Sequence, residues 1–196
     1  MGTTLTLPGP VLRPDYPLRT ERLILRPWSS RDLEPFYALH HDPQVSHYLV
    51  WVPTSRADAV VKLRRLARMR GIGPHRPHLR LAVVLPGDGR VIGDVNFELT
   101  SHRDLEGEMG YVIDPAYWGN GYATEAAGEM LRLAFEDLGL HRMMAACDAR
   151  NVASARVMER LGMRREGHYL QKELMRGEWC DLLTYGILES EWRARH

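Results

Sequence analysis

The chain has 196 residues, 44% apolar and 26% charged, with 26 Lys+Arg against 25 Asp+Glu for a net charge of +1. This length sets one domain as the expectation, and near-neutrality excludes a general polyanion binder, whose affinity rests on many basic contacts. No secretory leader pattern or apolar run of roughly 18 residues is present, and two cysteines (Cys147, Cys180) are too few for a disulfide framework, so a cytoplasmic, reducing compartment without membrane contact is expected.

The neutral total hides a dipolar chain. Residues 1–80 hold 13 basic and 6 acidic side chains, whereas residues 81–196 hold 13 and 19. Residues 1–17 carry four prolines and two glycines without periodicity and read as an irregular lead-in to a domain over 18–196. Leu23-Ile24-Leu25-Arg26 before Pro27 reads as a first strand. Ser30 opens a helix with Glu34 in its first turn, and Asp42-Pro43 ends it. A second helix runs from a Ser55 cap to about Arg70. It places Leu63 and Leu66 on an apolar face and displays Lys62, Arg64, Arg65, Arg68 and Arg70.

The period then turns strand-like. Leu79–Leu85 and Val91–Leu99 flank the turn Pro86-Gly87-Asp88-Gly89, and Glu108–Ile113 follows. A long helix is expected from Tyr122 to Leu138, closed by Gly139. After it come a strand over 142–148, a helix capped by Asn151 and ending at Leu161-Gly162, and strands over 163–174 and 182–188. Hairpins in the middle and β-α units later imply an α/β protein with a mixed sheet and helices on its faces.

The most informative stretch runs from Glu108 to Ala126. A strand ends, Trp118-Gly119-Asn120-Gly121 forms a short loop, and a helix starts at once. Glycines let a ligand approach the backbone, and the first helical turn leaves N–H groups unpaired, so loop and helix start together form a cradle for phosphate. Two nucleotide-binding rivals fail. The dinucleotide fingerprint lacks its last glycine, which is Thr124, and no Lys-Ser/Thr pair follows as a P-loop requires.

Trp118-Gly119-Asn120-Gly121-Tyr122-Ala123-Thr124-Glu125-Ala126 resembles the acetyl-CoA pyrophosphate loop of the GNAT superfamily of N-acetyltransferases. Leu18–Pro27, Asn151-Val152-Ala153-Ser154 with Arg160-Leu161-Gly162-Met163, and Asp181–Tyr185 are similar to the branch containing the ribosomal-protein N-terminal acetyltransferases of RimJ/RimL type. The resemblance spans about residues 18–192. It implies a GNAT fold, with a mostly antiparallel central sheet of about seven strands and about four flanking helices. It also implies acetyl-CoA as co-substrate, no metal, and a monomer or homodimer.

The resemblance further assigns the pantetheine arm to the backbone of Tyr111, Val112 and Ile113. The pyrophosphate falls to the N–H groups of Gly119, Asn120, Gly121, Tyr122, Ala123 and Thr124, and Asn151 reaches the pantetheine while capping its helix. The chemistry it implies is direct attack of an amine on a thioester, which needs a neutral amine, a base, an oxyanion donor and a proton for the thiolate. A backbone N–H near Val112 is the expected oxyanion donor. Glu108 is the candidate base, with Glu106 on the same strand face as its substitute. The tyrosine and glutamate used by one GNAT subgroup are replaced here by Met158 and Ala146. Ser154 is therefore the candidate acid, or else a first-turn hydroxyl serving its own helix.

A protein N-terminal amine is the favoured acceptor, because an α-amine with pKa ~8 is neutral more often than a lysine at ~10.4. A small amine (polyamine, amino sugar or amino acid) is the alternative. A CoA-holding or RNA-docking module without turnover is the rival from another class. The basic helix is either a solvated face or a patch for an acidic partner beside the acceptor groove. His40-His41 with His47, and His75 with His78, lack a carboxylate or cysteine at ligand spacing, and no metal site is expected.

Overall fold

The computed structural model describes residues 11–73 and 76–195, so residues 1–10 of the lead-in and His75 lie outside the described residues. One eight-stranded sheet carries the architecture: β1 (Leu18–Arg19), β2 (Ile24–Pro27), β3 (His78–Val84), β4 (Val91–Ser101), β5 (Glu106–Ile113), β6 (Arg142–Asp148), β7 (Arg164–Met175) and β8 (Glu178–Leu188). Its order is β1-β2-β3-β4-β5-β6-β8-β7, antiparallel throughout except for the β5–β6 pair. Among the described residues six α-helices accompany it: α1 (Leu33–His41), α2 (Pro43–Ser46), α3 (Arg56–Leu66), α4 (Tyr122–Arg132), α5 (Val152–Arg160) and α6 (Glu189–Arg193).

Period-2 alternation divides the strands between two cores. Leu79, Leu81 and Val83 of β3 face α4 and α5, meeting Ala126, Ala127, Met130 and Met158. Ala82 and Val84 face the other way, against Trp28, Phe36 and the α3 stripe Ala59, Leu63, Leu66. That stripe follows the i, i+4, i+7 spacing of one helix face, and each buried leucine in it is worth roughly 1.5–3 kcal/mol. Ser55 caps α3 by accepting the Asp58 N–H at 3.2 Å.

The α/β class and the mostly antiparallel sheet agree with the sequence reading, while the counts differ. The eighth strand is β1, two residues held by their pairing with β2. Asp42 both ends α1 and starts α2, its Oδ1 accepting the Gln44 N–H at 2.8 Å. The expected helix over 122–138 is α-helical only to Arg132. Leu133–Asp137 forms a π-turn, whose wider winding buries Leu133, Ala134 and Phe135 consecutively.

The site is positioned by what β5 and β6 fail to do. They pair at only three rungs, Glu106↔Arg142, Gly107↔Met143 and Glu108↔Met144, and then part into a wedge. Within β5 the unbroken register with β4, and the Asp114 N–H donated to Ile92 O at 2.8 Å, fix the backbone alternation. Residues 108, 110 and 112 direct their main-chain groups to β4, and 109, 111 and 113 direct theirs into the wedge.

Candidate active site

The mouth of the wedge is a backbone cradle. Gly119 and Gly121 both sit at φ +80, which L side chains rarely adopt. The first hydrogen bond of α4 runs from the Glu125 N–H to Gly121 O. No N–H of residues 119–124 has an acceptor among the described residues, so six successive donors are available at a helix start. The Thr124 hydroxyl is buried without a partner beside them. Such donors have the chemistry to hold a diphosphate, and the Arg22 guanidinium lies close beside Gly121.

Side chains from distant segments brace this loop. The Glu125 carboxylate accepts from the Thr20 hydroxyl (2.5 Å), the Arg22 N–H (2.7 Å) and Arg22 Nε (2.7 Å). Arg22 also donates to Asn120 O at 3.0 Å and lies 5.0 Å over the Tyr122 ring. Trp118 is half exposed, and its indole N–H is donated to Ile113 O at 2.6 Å. Of the three strand residues expected to meet a pantetheine arm, Tyr111 and Ile113 turn their backbone into the wedge, whereas the Val112 backbone faces Asp94 on β4.

Across the wedge, Asn151 Oδ1 accepts the Ser154 N–H at 3.1 Å and so caps α5. The Ser154 hydroxyl lies 3.0 Å from the Tyr111 phenol, which also donates to Ser154 O at 2.8 Å. Burial pushes the phenol well above the usual tyrosine range, so it stays protonated. Cys147 also adjoins Ser154, and burial pushes its thiol up to about 11, which keeps it neutral. The Tyr111 side chain is absent from the sequence reading, which uses only its backbone. The aromatic at that place carried no signal until β5 and α5 were brought together.

Glu108 occupies the last paired rung, where the wedge begins, and its side chain leaves the sheet face opposite to that of Tyr111. It is accessible to solvent, yet the protein around its carboxyl removes enough water to raise its pKa. The neighbouring carboxylates Glu98, Glu173 and Glu106 push in the same direction. Glu106 differs from it, since Arg142 Nε holds its carboxylate at 3.4 Å. Glu108 has no ion-pair partner among the described residues. A cavity of about 460 Å³ lined by His41, Ser46, His47, Val52 and Arg176 joins the α1–α2 segment to the β7–β8 turn on the same side.

Comparison with known proteins places this geometry. The sequence profile of the acetyltransferase (GNAT) domain matches residues 22–164. The chain belongs to the GNAT acetyltransferases. It is 32% identical over 176 residues to YnaD, an uncharacterized N-acetyltransferase of Bacillus subtilis (strain 168), covering 89% of this chain and 98% of that one. A crystal structure of a GNAT acetyltransferase from Bacillus anthracis superposes with TM-score 0.77 at 30% identity, covering 88% and 98%. RimL, the ribosomal L7/L12 alpha-N-protein acetyltransferase, solved in complex with coenzyme A, shares the fold at TM-score 0.76 and 17% identity, covering 88% and 97%.

As a GNAT member the chain is an N-acetyltransferase, and its family takes the acetyl group from acetyl-CoA. The residues present fit that co-substrate, with acceptor-free N–H groups and an orphan hydroxyl at the loop and a strand edge left open behind it. Among the described residues no group of three or more His, Cys, Asp or Glu is placed to hold a metal ion. No helix among them is long and apolar enough to cross a membrane.

Proposed function

We propose that this enzyme transfers the acetyl group of acetyl-CoA directly to a protein N-terminal amine held over the β5–β6 wedge, in the cytoplasm. The observation that carries the reading is the position of Glu108. A carboxylate with a raised pKa stands where the two strands part, on the face that carries the α1–α2 cavity. There it meets an incoming amine from one side while the wedge receives a thioester from the other.

Acetyl-CoA, when bound, supplies the activated acetyl group. The loop N–H groups of Gly119 to Thr124 hold its pyrophosphate, and the wedge-facing main chain of Tyr111, with the Ile113 N–H, aligns its pantetheine arm as a further strand would, the Ile113 carbonyl being held by the Trp118 indole. Glu108 takes the proton that the attacking nitrogen loses as the C–N bond forms and the C–S bond breaks. The Ser154 hydroxyl gives a proton to the departing sulfur and regains one from solvent, while the Tyr111 phenol 3.0 Å away stays protonated and holds that hydroxyl in place. A raised pKa suits Glu108 to this work, because a base is most effective when its pKa lies nearer the operating pH. An N-terminal amine suits it as well, since at ~8 its pKa leaves a usable neutral fraction.

Thiol release from acetyl-CoA on an amine panel tests the reading. Release with free N-terminal peptides and none with Nα-blocked ones is the expected result. Faster release on polyamines, amino sugars or free amino acids transfers the assignment to a small amine. Tight CoA binding with no amine-dependent release overturns catalysis altogether.

A further inference from the structure

The C-terminal half of α3, Arg68, Met69 and Gly71 after it, and Arg76, Pro77 and His78 line a second cavity of about 570 Å³. Arg64, Arg65, Arg68 and Arg76 line it, together with His78. All four arginines are exposed, and none has an acidic partner among the described residues. Concentrating four guanidinium groups in one concavity is unfavourable until an anion enters.

The cavity meets the strand face that carries the proposed acceptor site at His78. His78, on its rim, contacts Glu98 at 3.3 Å, and cross-strand register places His78, Glu98 and Glu108 side by side on β3, β4 and β5. All three side chains are exposed, so an accessible strip runs from the arginines to the wedge. Two interstrand steps separate His78 from Glu108, roughly 10 Å, which an extended chain covers in about three residues. The acceptor face is thus a dipole, with carboxylates at the wedge and guanidinium groups one short peptide segment away.

We infer that this arginine cavity binds carboxylates of the acceptor polypeptide, so that the preferred substrate carries Asp or Glu at about positions 4–6 behind its free N-terminus. The inference rests on the protein-amine reading above. Arginine suits carboxylates because its planar fork pairs with them in a bidentate manner. A polycationic small amine would meet repulsion here. Among the described residues the cavity lining contains no Trp, Tyr or Phe, the rings on which nucleic-acid bases stack most strongly.

The test uses octapeptides sharing one N-terminal residue and carrying Glu, Gln or Lys at positions 4–6, assayed by thiol release with the wild type and with Arg64→Gln/Arg68→Gln. The acidic peptide should exceed the neutral one in kcat/KM by about tenfold at low salt, with the lysine peptide below both. In the double variant the preference should collapse to within about twofold while the neutral peptide is turned over as before. Equal kcat/KM for all three peptides in the wild type, or a preference that survives in the variant, overturns the inference.

Fluorescence anisotropy of the labelled acidic peptide without acetyl-CoA separates the two claims. Arginine-dependent binding without turnover of any peptide retains the cavity's role and defeats the catalytic reading. Absence of arginine-dependent binding defeats the cavity's role whatever the turnover. A single-stranded RNA that displaces the peptide at lower concentration than unlabelled peptide does would reassign the cavity to nucleic acid.

Discussion

Arg22 and Glu125 lie 103 residues apart in the chain and meet twice, through the main-chain N–H and through Nε of Arg22. The pair ties the opening segment of the domain to the first turn of α4. With the Arg22 bond to Asn120 O, it fixes the loop whose N–H groups point at the cradle. Burial alone would raise the Glu125 carboxyl, but the Thr20 and Arg22 hydrogen bonds outweigh it and hold its pKa below the usual range. The side chain is therefore an anion placed against the loop as a brace, outside the phosphate site itself.

Glu125→Ala should accordingly raise the KM for acetyl-CoA by about tenfold and leave kcat within about twofold, because only the binding loop loosens. Stability should fall by about 1 kcal/mol, the lower end for a charged hydrogen bond whose arginine is half exposed. Steady-state kinetics with isothermal titration of CoA checks this. A lost kcat with unchanged CoA affinity would refute the bracing role.

For Glu108 the direction of the pKa shift sets two effects of opposite sign. Its folded-state pKa lies above the unfolded value, so above that pKa the ionised carboxylate disfavours the folded state. Glu108→Gln should leave the melting temperature at pH 7 unchanged or slightly higher while lowering kcat by about 10²-fold. Glu98→Gln should act oppositely on the titration. Removing the facing charge lowers the Glu108 pKa and moves the acid limb of the kcat/KM profile to lower pH. An acid limb that stays in place in Glu98→Gln, or survives in Glu108→Gln, removes Glu108 from the mechanism.

The glycine loop with its unpaired N–H groups was legible because all its parts are local: a strand end, Gly119, Gly121 and a helix start lie within a dozen residues. The difference in environment between Glu106 and Glu108 was not, since Arg142 reaches Glu106 only once β6 is laid beside β5. The Tyr111 phenol was hidden for the same reason, as its partner Ser154 comes from a helix beyond the wedge. Periodicity found the long helix after Gly121 but not its π-turn, because three consecutive buried residues look helical on either winding. The basic face of α3 was visible in the text. The cavity it forms with Arg76 and His78 needed the fold.

Ser154 allows its two roles to be separated. The cap bond to Asn151 uses the Ser154 main-chain N–H, so Ser154→Ala keeps the cap and removes only the hydroxyl. Its kcat should drop about tenfold with stability within about 0.5 kcal/mol of wild type. Asn151→Ala should instead cost about 1 kcal/mol through the lost cap. Tyr111→Phe should lower kcat with little change in the KM for the amine. Full activity in Ser154→Ala would leave proton delivery to the Tyr111 phenol or to water.

Asp94 forms the most enclosed charge cluster among the described residues and touches no proposed substrate. Its Oδ1 and Oδ2 accept from Arg80 Nε and NH2, each at 2.9 Å, and His40 Nε2 lies 3.1 Å from Oδ2. The His40 Nδ1 is in turn 2.8 Å from Phe36 O, which ties β4 to α1. Burial pushes the Asp94 carboxyl up, but Arg80 and His40 overcome it and hold its pKa below the usual carboxylate range. Asp94→Ala leaves a guanidinium half-buried without its counterion and should cost about 3–5 kcal/mol. Because the folded pKa is depressed, the contribution is complete above the unfolded value of about 3.9 and is lost as pH falls through the folded one. Thermal melts of wild type and Asp94→Asn between pH 7 and pH 3 should therefore converge toward the acid end. Parallel curves over that range would show that Asp94 does not govern acid stability.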